Sequence, residues 1–197
     1  MDHVLKKYCP RIDFDSYEDF AENFRIEVPE AFNFGFDVVD EWAAVEPDKR
    51  ALLWTNDAGE ERTFTFADIK RLSNQAANAF AELGIGKGDV VLCILRRRWE
   101  YWICAVALCQ LGATIIPASL QLTRKDVVYR VNSADVKAIV AVNDDYVCTQ
   151  VEQAMPDCPS VIEKFIVDGS REGWVDFDDL IAGFLDTFER PTGDAAV

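Results

Sequence analysis

Two apolar runs with no polar interruption, at residues 90–95 and 138–142, restrict this chain more than any other feature. A strand that is apolar at every position has no polar face to turn to water, so both of its faces must be covered. Helix-length segments surround these runs. Residues 99–111 have helical length and end at Gly112. Residues 113–116 make a second short strand. Thr123 and Asp126 have capping-box spacing ahead of Val127, Val128 and Val131 on one face. Tyr146, Val147, Val151 and Ala154 predict a helix closed by Pro156, and residues 161–167 a fourth strand. A last helix is predicted through Phe177, Leu180, Ile181 and Leu185. Strands alternating with helices imply right-handed crossovers and a parallel sheet.

The preceding segment reads differently. Val38, Val39, Trp42 and Val45 recur at helical spacing until Pro47. Residues 51–55 and 62–65 are two strands around the turn residues Asn56, Asp57, Ala58 and Gly59, which predicts a hairpin. Thr65 and Asp68 form a second capping-box pair. Behind them Phe66, Ile69, Leu72, Ala76, Phe80 and Leu83 make one helical stripe, with Gly84 at the C-terminal position. The fold class expected is α/β: a mostly parallel sheet with flanking helices, plus a β-hairpin. Residues 1–32 form an extension whose aromatics, Tyr8, Phe14, Tyr17, Phe20 and Phe24, are expected to dock on the same chain.

Composition removes several functions. With 35 acidic against 20 basic residues the formal charge is −15, which repels phosphate backbones and argues against nucleic acid as a partner. The single histidine is His3, so a histidine-based triad or metal site lacks its usual base or ligand. The six cysteines form no CxxC pair and read as buried, reduced thiols. Residues 101–123 carry no charge until Arg124, but Gln110, Gly112 and Pro117 interrupt them, so no membrane span is expected. The opening residues lack a basic-then-apolar signal, which makes a cytoplasmic location the expectation.

Five places in the chain are candidates for chemistry. Gly84-Ile85-Gly86-Lys87-Gly88 has the look of a phosphate loop, but a helix precedes it and a strand follows. That order is the reverse of what phosphate binding at a helix N-terminus requires, so a helix-to-strand turn is expected. Arg96, Arg97 and Arg98 follow the strand at 90–95 and so lie at a carboxyl end, where open α/β sheets collect ligands. They could face phosphate or an acidic neighbour, although a solvated loop is the favoured reading. Gln121 lies in the loop after the second strand and reads from spacing as an ordinary loop residue. Asp144 and Asp145 read as acids at a helix start, and Asp176, Asp178 and Asp179 as helix-end acids rather than a metal cluster. The residues therefore specify an acidic α/β domain without a complete catalytic apparatus.

Several motifs carry a resemblance. The segment 32–43, Phe-Asn-Phe-Gly-Phe-Asp-Val-Val-Asp-Glu-Trp-Ala, is similar to the opening of AMP-forming acyl-CoA synthetases, particularly the medium-chain group. Thr65-Phe66-Ala67-Asp68-Ile69 resembles the first core motif of adenylate-forming enzymes, Thr-Tyr-x-Glu-Leu, with mild replacements. Residues 84–91 match a Gly-x-x-x-Gly-Asp-x-Val stretch, and residues 111–117 resemble the second core motif, a Gly-Ala turn leading into a strand that ends in proline. The motifs fall in order, and the likeness runs from about residue 32 to 185.

The resemblance implies a two-step reaction for a complete enzyme. A carboxylic acid, the small-molecule partner, attacks the α-phosphate of ATP with Mg2+ present, and coenzyme A (CoA) then displaces AMP. It also assigns Gln121 to contact CoA in the complete enzyme. The family's Thr-Ser-Gly-Thr-Thr-Gly-x-Pro-Lys phosphate loop is expected after the last helix, beyond residues 191–197. The chain is thus expected to divide into an extension (1–32), a partial N-terminal α/β domain (33–190) and a tail (191–197). It is expected to be catalytically inactive alone, to bind none of these cofactors tightly, and to associate with itself through exposed apolar surface. The alternatives are a stand-alone, non-catalytic binding domain of the same fold, or an unrelated nucleotide-binding domain built on residues 84–88 and 96–98.

Overall fold

A computed structural model describes residues 2–193, with the side chains of residues 4–193. Residues 194–197 of the expected tail, and the side chain of His3, lie outside the described residues. Helices α1 (Asp2–Tyr8) and α2 (Tyr17–Asn23) open the chain. A π-helical turn (Gly35–Asp40) follows and continues into α3 (Glu41–Val45). Strands β1 (Arg50–Thr55) and β2 (Glu61–Thr65) pair antiparallel as the expected hairpin. The Asn56 side chain shapes the turn, its Oδ1 accepting from the amides of Ala58 and Glu60 at 3.0 Å each. Helix α4 (Phe66–Glu82) starts on the predicted capping box, with Asp68 N–H donating to Thr65 Oγ1 at 3.1 Å and Thr65 N–H to Asp68 Oδ2 at 3.0 Å.

Strand and helix then alternate: β3 (Val90–Ile94), α5 (Glu100–Leu111), β4 (Thr114–Pro117), α6 (Arg124–Ala134), β5 (Val136–Val142), α7 (Asp145–Ala154) and β6 (Glu163–Val167). Two elements close the order, β7 (Val175–Asp176) and α8 (Phe177–Ala182). The sheet has five parallel strands in the order β4-β3-β5-β6-β7, one more than the four expected. The extra strand is only two residues long, too short to show a period. The uncharged stretch 101–123 divides into α5, β4 and a loop, and no helix among the described residues is long and apolar enough to cross a membrane.

Both faces of the sheet are covered. Val91, Cys93 and Leu95 face one cluster with Ala138, Val140 and Phe165, covered by α4, α5, α8 and the hairpin. Leu92 and Ile94 face a second cluster with Ile139, Ala141 and Ile166, covered by α6 and α7. Phe80, Phe165 and Phe177 join α4, β6 and α8, with ring centroids 5.6 to 6.5 Å apart. Removing one such ring costs about 3–5 kcal/mol.

Polar pins fix the periphery. Gln110 is fully buried on α5 and donates to Asn74 Oδ1 at 3.0 Å. Asn33 donates to Cys109 O at 2.7 Å and accepts from Gly35 N–H at 3.0 Å. A Cβ at Gly35 would lie 2.6 Å from Gln110 Cγ, so the turn needs glycine there. The π-helical turn is a departure from the regular helix that the spacing of Val38, Val39 and Trp42 predicts, and it lies where Asn33 Oδ1 accepts from the amide of Gly35 and the Gln110 side chain packs close against that glycine.

The last predicted helix also ends early. It stops at Ala182, and Leu185 is exposed beyond it. Side chains of α4 take over the backbone there: Asn74 donates to Asp186 O at 2.8 Å, and Asn78 to Leu185 O and Thr187 O at 2.9 Å each. Arg190 then grips both oxygens of Asp37 at 2.9 Å and also reaches Ala31 O. Hydrogen bonds from Arg190 and Asn33 outweigh the desolvation of Asp37 and hold its carboxyl below the usual range. The extension's aromatics divide. Tyr8 is buried, donates to Asp37 O at 3.2 Å and meets Phe32 edge-to-face at 5.3 Å. Phe14, Phe20 and Phe24 instead cluster with one another, and Tyr17 is exposed.

Arg190→Gln should loosen residues 184–190 and speed their cleavage in limited proteolysis. The loss of global stability should be at most about 1 kcal/mol, because the pair is partly solvated.

Candidate functional site

The order β4-β3-β5-β6-β7 reverses direction at β3, since the chain moves outward to β4 and then returns to β5 on the other side. Such a switch point opens a crevice at the carboxyl ends of the strands. Residues 95–98 leave β3 at that point. Arg98 N–H donates to Leu95 O at 3.1 Å, and Trp54 Nε1 on the hairpin donates to Arg97 O at 2.6 Å. Arg96 sits in the left-handed region with φ +45°, a conformation that a non-glycine residue adopts only under constraint.

These contacts separate the three arginines. Arg98 turns inward, lies over Trp54 at 5.2 Å, and grips both oxygens of Glu100 at 2.7 and 3.1 Å. It also reaches Asp168 at 3.1 Å. Burial disfavours its charge, but Glu100 and then Asp168 outweigh that and raise its pKa. Glu100 is fully buried, so loss of Arg98 would strand a carboxylate in the interior. Arg96 and Arg97 point outward, with side chains 57% and 79% exposed, and share the solvated carboxylate of Asp57 at 3.4 and 4.0 Å. The favoured expectation, a solvated loop, thus describes two of the arginines, and an acidic neighbour describes the third.

A cavity of about 480 Å³ runs along this edge between the hairpin, the arginine loop, the start of α5 and the end of β4. A second of about 340 Å³ joins the arginines to Asp57, Val142 and Asp168. A third of about 460 Å³ lies behind Arg98, between Arg62, Trp99, Glu100 and Asp178. Asp178, expected as a helix-end acid, lies in this last space, where burial, Glu100 and Asp176 raise its pKa to about 6 against the pull of Arg98 and Arg62. No sequence signal distinguishes it from Asp179 next door. Asp144 and Asp176 do cap helices, accepting from Val147 N–H at 3.1 Å and Asp179 N–H at 3.0 Å, while Asp145 pairs with Arg171.

Gln121 lies in the exposed loop between β4 and α6, where its N–H donates to Ser119 Oγ at 3.2 Å. It is at a carboxyl end, but it does not line the cavities around the arginines. The glycine-rich stretch 84–88 lies at the opposite edge, before β3, and is the expected turn. Gly86 N–H donates to Asp89 Oδ2 at 2.7 Å, and Lys137 bridges Asp89 Oδ2 and Gly84 O at 2.9 and 2.6 Å. The amide that a phosphate would need is occupied by the chain's own carboxylate. All six cysteines are free thiols, and burial pushes those of Cys104, Cys148 and Cys158 up. Among the described residues no group of three or more His, Cys, Asp or Glu side chains is placed to hold a metal ion.

Asp178 has a pH consequence. Its folded pKa of about 6 lies above the ordinary 3.8, so its contribution is full below pH 3.8 and is lost as pH rises through 6. Asp178→Asn should therefore raise stability at pH 7.5 by about 1 kcal/mol, discounted for the group's partial solvation, and this gain should vanish near pH 4 in urea titrations.

Comparison with known proteins agrees with this architecture. Residues 39–184 match the family model described as AMP-binding enzyme. Acyl-coenzyme A synthetase ACSM3, mitochondrial, of Homo sapiens is 35% identical over 175 residues, which cover 85% of this chain and 30% of that protein. Acyl-coenzyme A synthetase ACSM5, mitochondrial, of Mus musculus is 38% identical over 164 residues, covering 80% and 28%. The chain therefore spans about 30% of the length of the curated relatives it matches. The crystal structure of the anthranilate CoA ligase AuaEII in complex with anthranoyl-AMP superposes with a TM-score of 0.74 at 22% identity, covering 83% of this chain and 30% of that one. That similarity speaks for the fold. With three quarters of its length matched by the family model, the chain belongs to the AMP-binding enzyme family, with acyl-CoA synthetases among its relatives.

Proposed function

We propose that these residues are the N-terminal part of an AMP-forming acyl-CoA synthetase. The complete enzyme would join a carboxylic acid to ATP, release pyrophosphate, and pass the acyl group from the adenylate to CoA. The observation that supports this best is the family match over residues 39–184, which includes both core motifs in order. ATP and Mg2+ would be held by other segments, because the glycine-rich turn is filled by Asp89. CoA would meet this part of the enzyme at Gln121, whose exposed loop lies at a strand's carboxyl end. In this reading residues 1–32 are an extension, 33–190 the partial domain and 191–197 a tail.

The second reading is a stand-alone, non-catalytic binding domain. One observation favours it: within the chain, both sheet faces are already covered. A reading frame that continues past Val197 into a glycine-rich phosphate loop decides for the first reading, and a native stop codon for the second. The cytoplasmic location rests on the sequence reading alone, while the relatives named above are mitochondrial. Cell fractionation tests it.

Octanoate-dependent release of pyrophosphate from ATP should be absent with the 197-residue chain alone, and its appearance would overturn the proposed inactivity. In the complete enzyme, Gln121→Ala should raise the KM for CoA by roughly 3- to 10-fold, the worth of one hydrogen bond, with pyrophosphate exchange unchanged. Exposed Ile162 and Leu185 should make the chain self-associate, and light scattering that shows a monomer at high concentration would count against this.

A further inference from the structure

The cavity at the end of β3 carries a charge pattern that the proposed reaction leaves unused. No Asp or Glu is among the described residues that line it, although the chain's net charge is −15. Arg98 is committed to Glu100 and Asp168, so Arg96 and Arg97 remain as the cations facing solvent. The carboxylate they share, Asp57, is 81% exposed, and such a solvated pair is weak and readily exchanged. Most of the remaining lining is apolar. Trp102 is 53% exposed and meets Tyr101 edge-to-face at 5.3 Å, and the exposed Leu53 lines the same cavity. A tryptophan, half of it in water, alongside two outward guanidiniums is a two-part surface, with one part for charge and one for apolar bulk. The strained φ of Arg96, braced by the Trp54–Arg97 hydrogen bond, holds the cationic part in place.

We propose that this cavity binds a soluble amphiphilic anion, with its phosphate or carboxylate head on Arg96 and Arg97 and its apolar body against Trp102, Tyr101 and Leu53. Two forked guanidiniums suit a multi-oxygen anion, and about 480 Å³ is the size of a small-molecule site. A lipid surface carries the same chemistry, but the acidic body of the chain opposes approach to an anionic membrane. The inference does not depend on Gln121 or on the acyl-CoA synthetase reading.

Titration calorimetry of the 197-residue chain with octyl phosphate tests it. One-to-one saturation is expected with octyl phosphate and with octanoate, and none with octanol over the same range. The double variant Arg96→Gln/Arg97→Gln should bind octyl phosphate about tenfold more weakly, and Trp102→Ala several-fold more weakly. Because these side chains are exposed, circular dichroism should show both variants folded. Raising salt from about 0.05 to about 0.5 M should weaken binding to the parent chain and leave the double variant unchanged. Octanol binding as tightly as octyl phosphate, or a double variant within about twofold of the parent, overturns the proposal. So does stronger retention on phosphatidic acid vesicles than on soluble octyl phosphate, which would make the surface a membrane contact.

Discussion

A parallel sheet whose central strands are apolar on both faces is unstable until both faces are covered, and this requirement organises the whole molecule. In β3, Val91 and Cys93 point one way and Leu92 and Ile94 the other, and all four are buried. Helices α4, α5 and α8 satisfy the first side, and α6 and α7 the second. The crossovers that place them leave the carboxyl edge as the place where loops after β3, β5 and β6 converge. Function in this fold is set by what those loops carry.

At that edge the buried Glu100 imposes order. A carboxylate without solvent needs a cation, and Arg98 supplies two hydrogen bonds to it while bridging to Asp168. Drawing Arg98 inward fixes the loop's path, and Trp54 completes it through the carbonyl of Arg97. The two arginines beside it are left outside. Adjacent residues of one type thus serve structure in one case and remain available to solvent in the others.

Much of this was legible because the signals are local. Thr65 with Asp68, and Thr123 with Asp126, announced helix starts that the structure contains. Gly84 and Gly112 end helices with φ of +80° and +69°, values that their neighbours would resist. The turn at residues 84–88 could be told from a phosphate loop by order alone, because a helix precedes it. Less legible were features made by residues distant in the chain. Leu185 continued the periodicity of α8, yet side chains of α4 more than 100 residues earlier hold that backbone out of the helix. Nothing local marked Asp178 as the acid that would face Glu100.

The sequence by itself determined the α/β class, the hairpin, the helix starts and the family, because apolar periodicity, capping pairs and ordered motifs act over short distances. Only the tertiary structure decided which arginine of residues 96–98 is buried, that Gln121 and those arginines occupy separate places on one edge, and that Asp178 is raised toward neutrality. Those outcomes depend on which groups long crossovers bring together in a low-dielectric interior, and chain order alone does not carry that information.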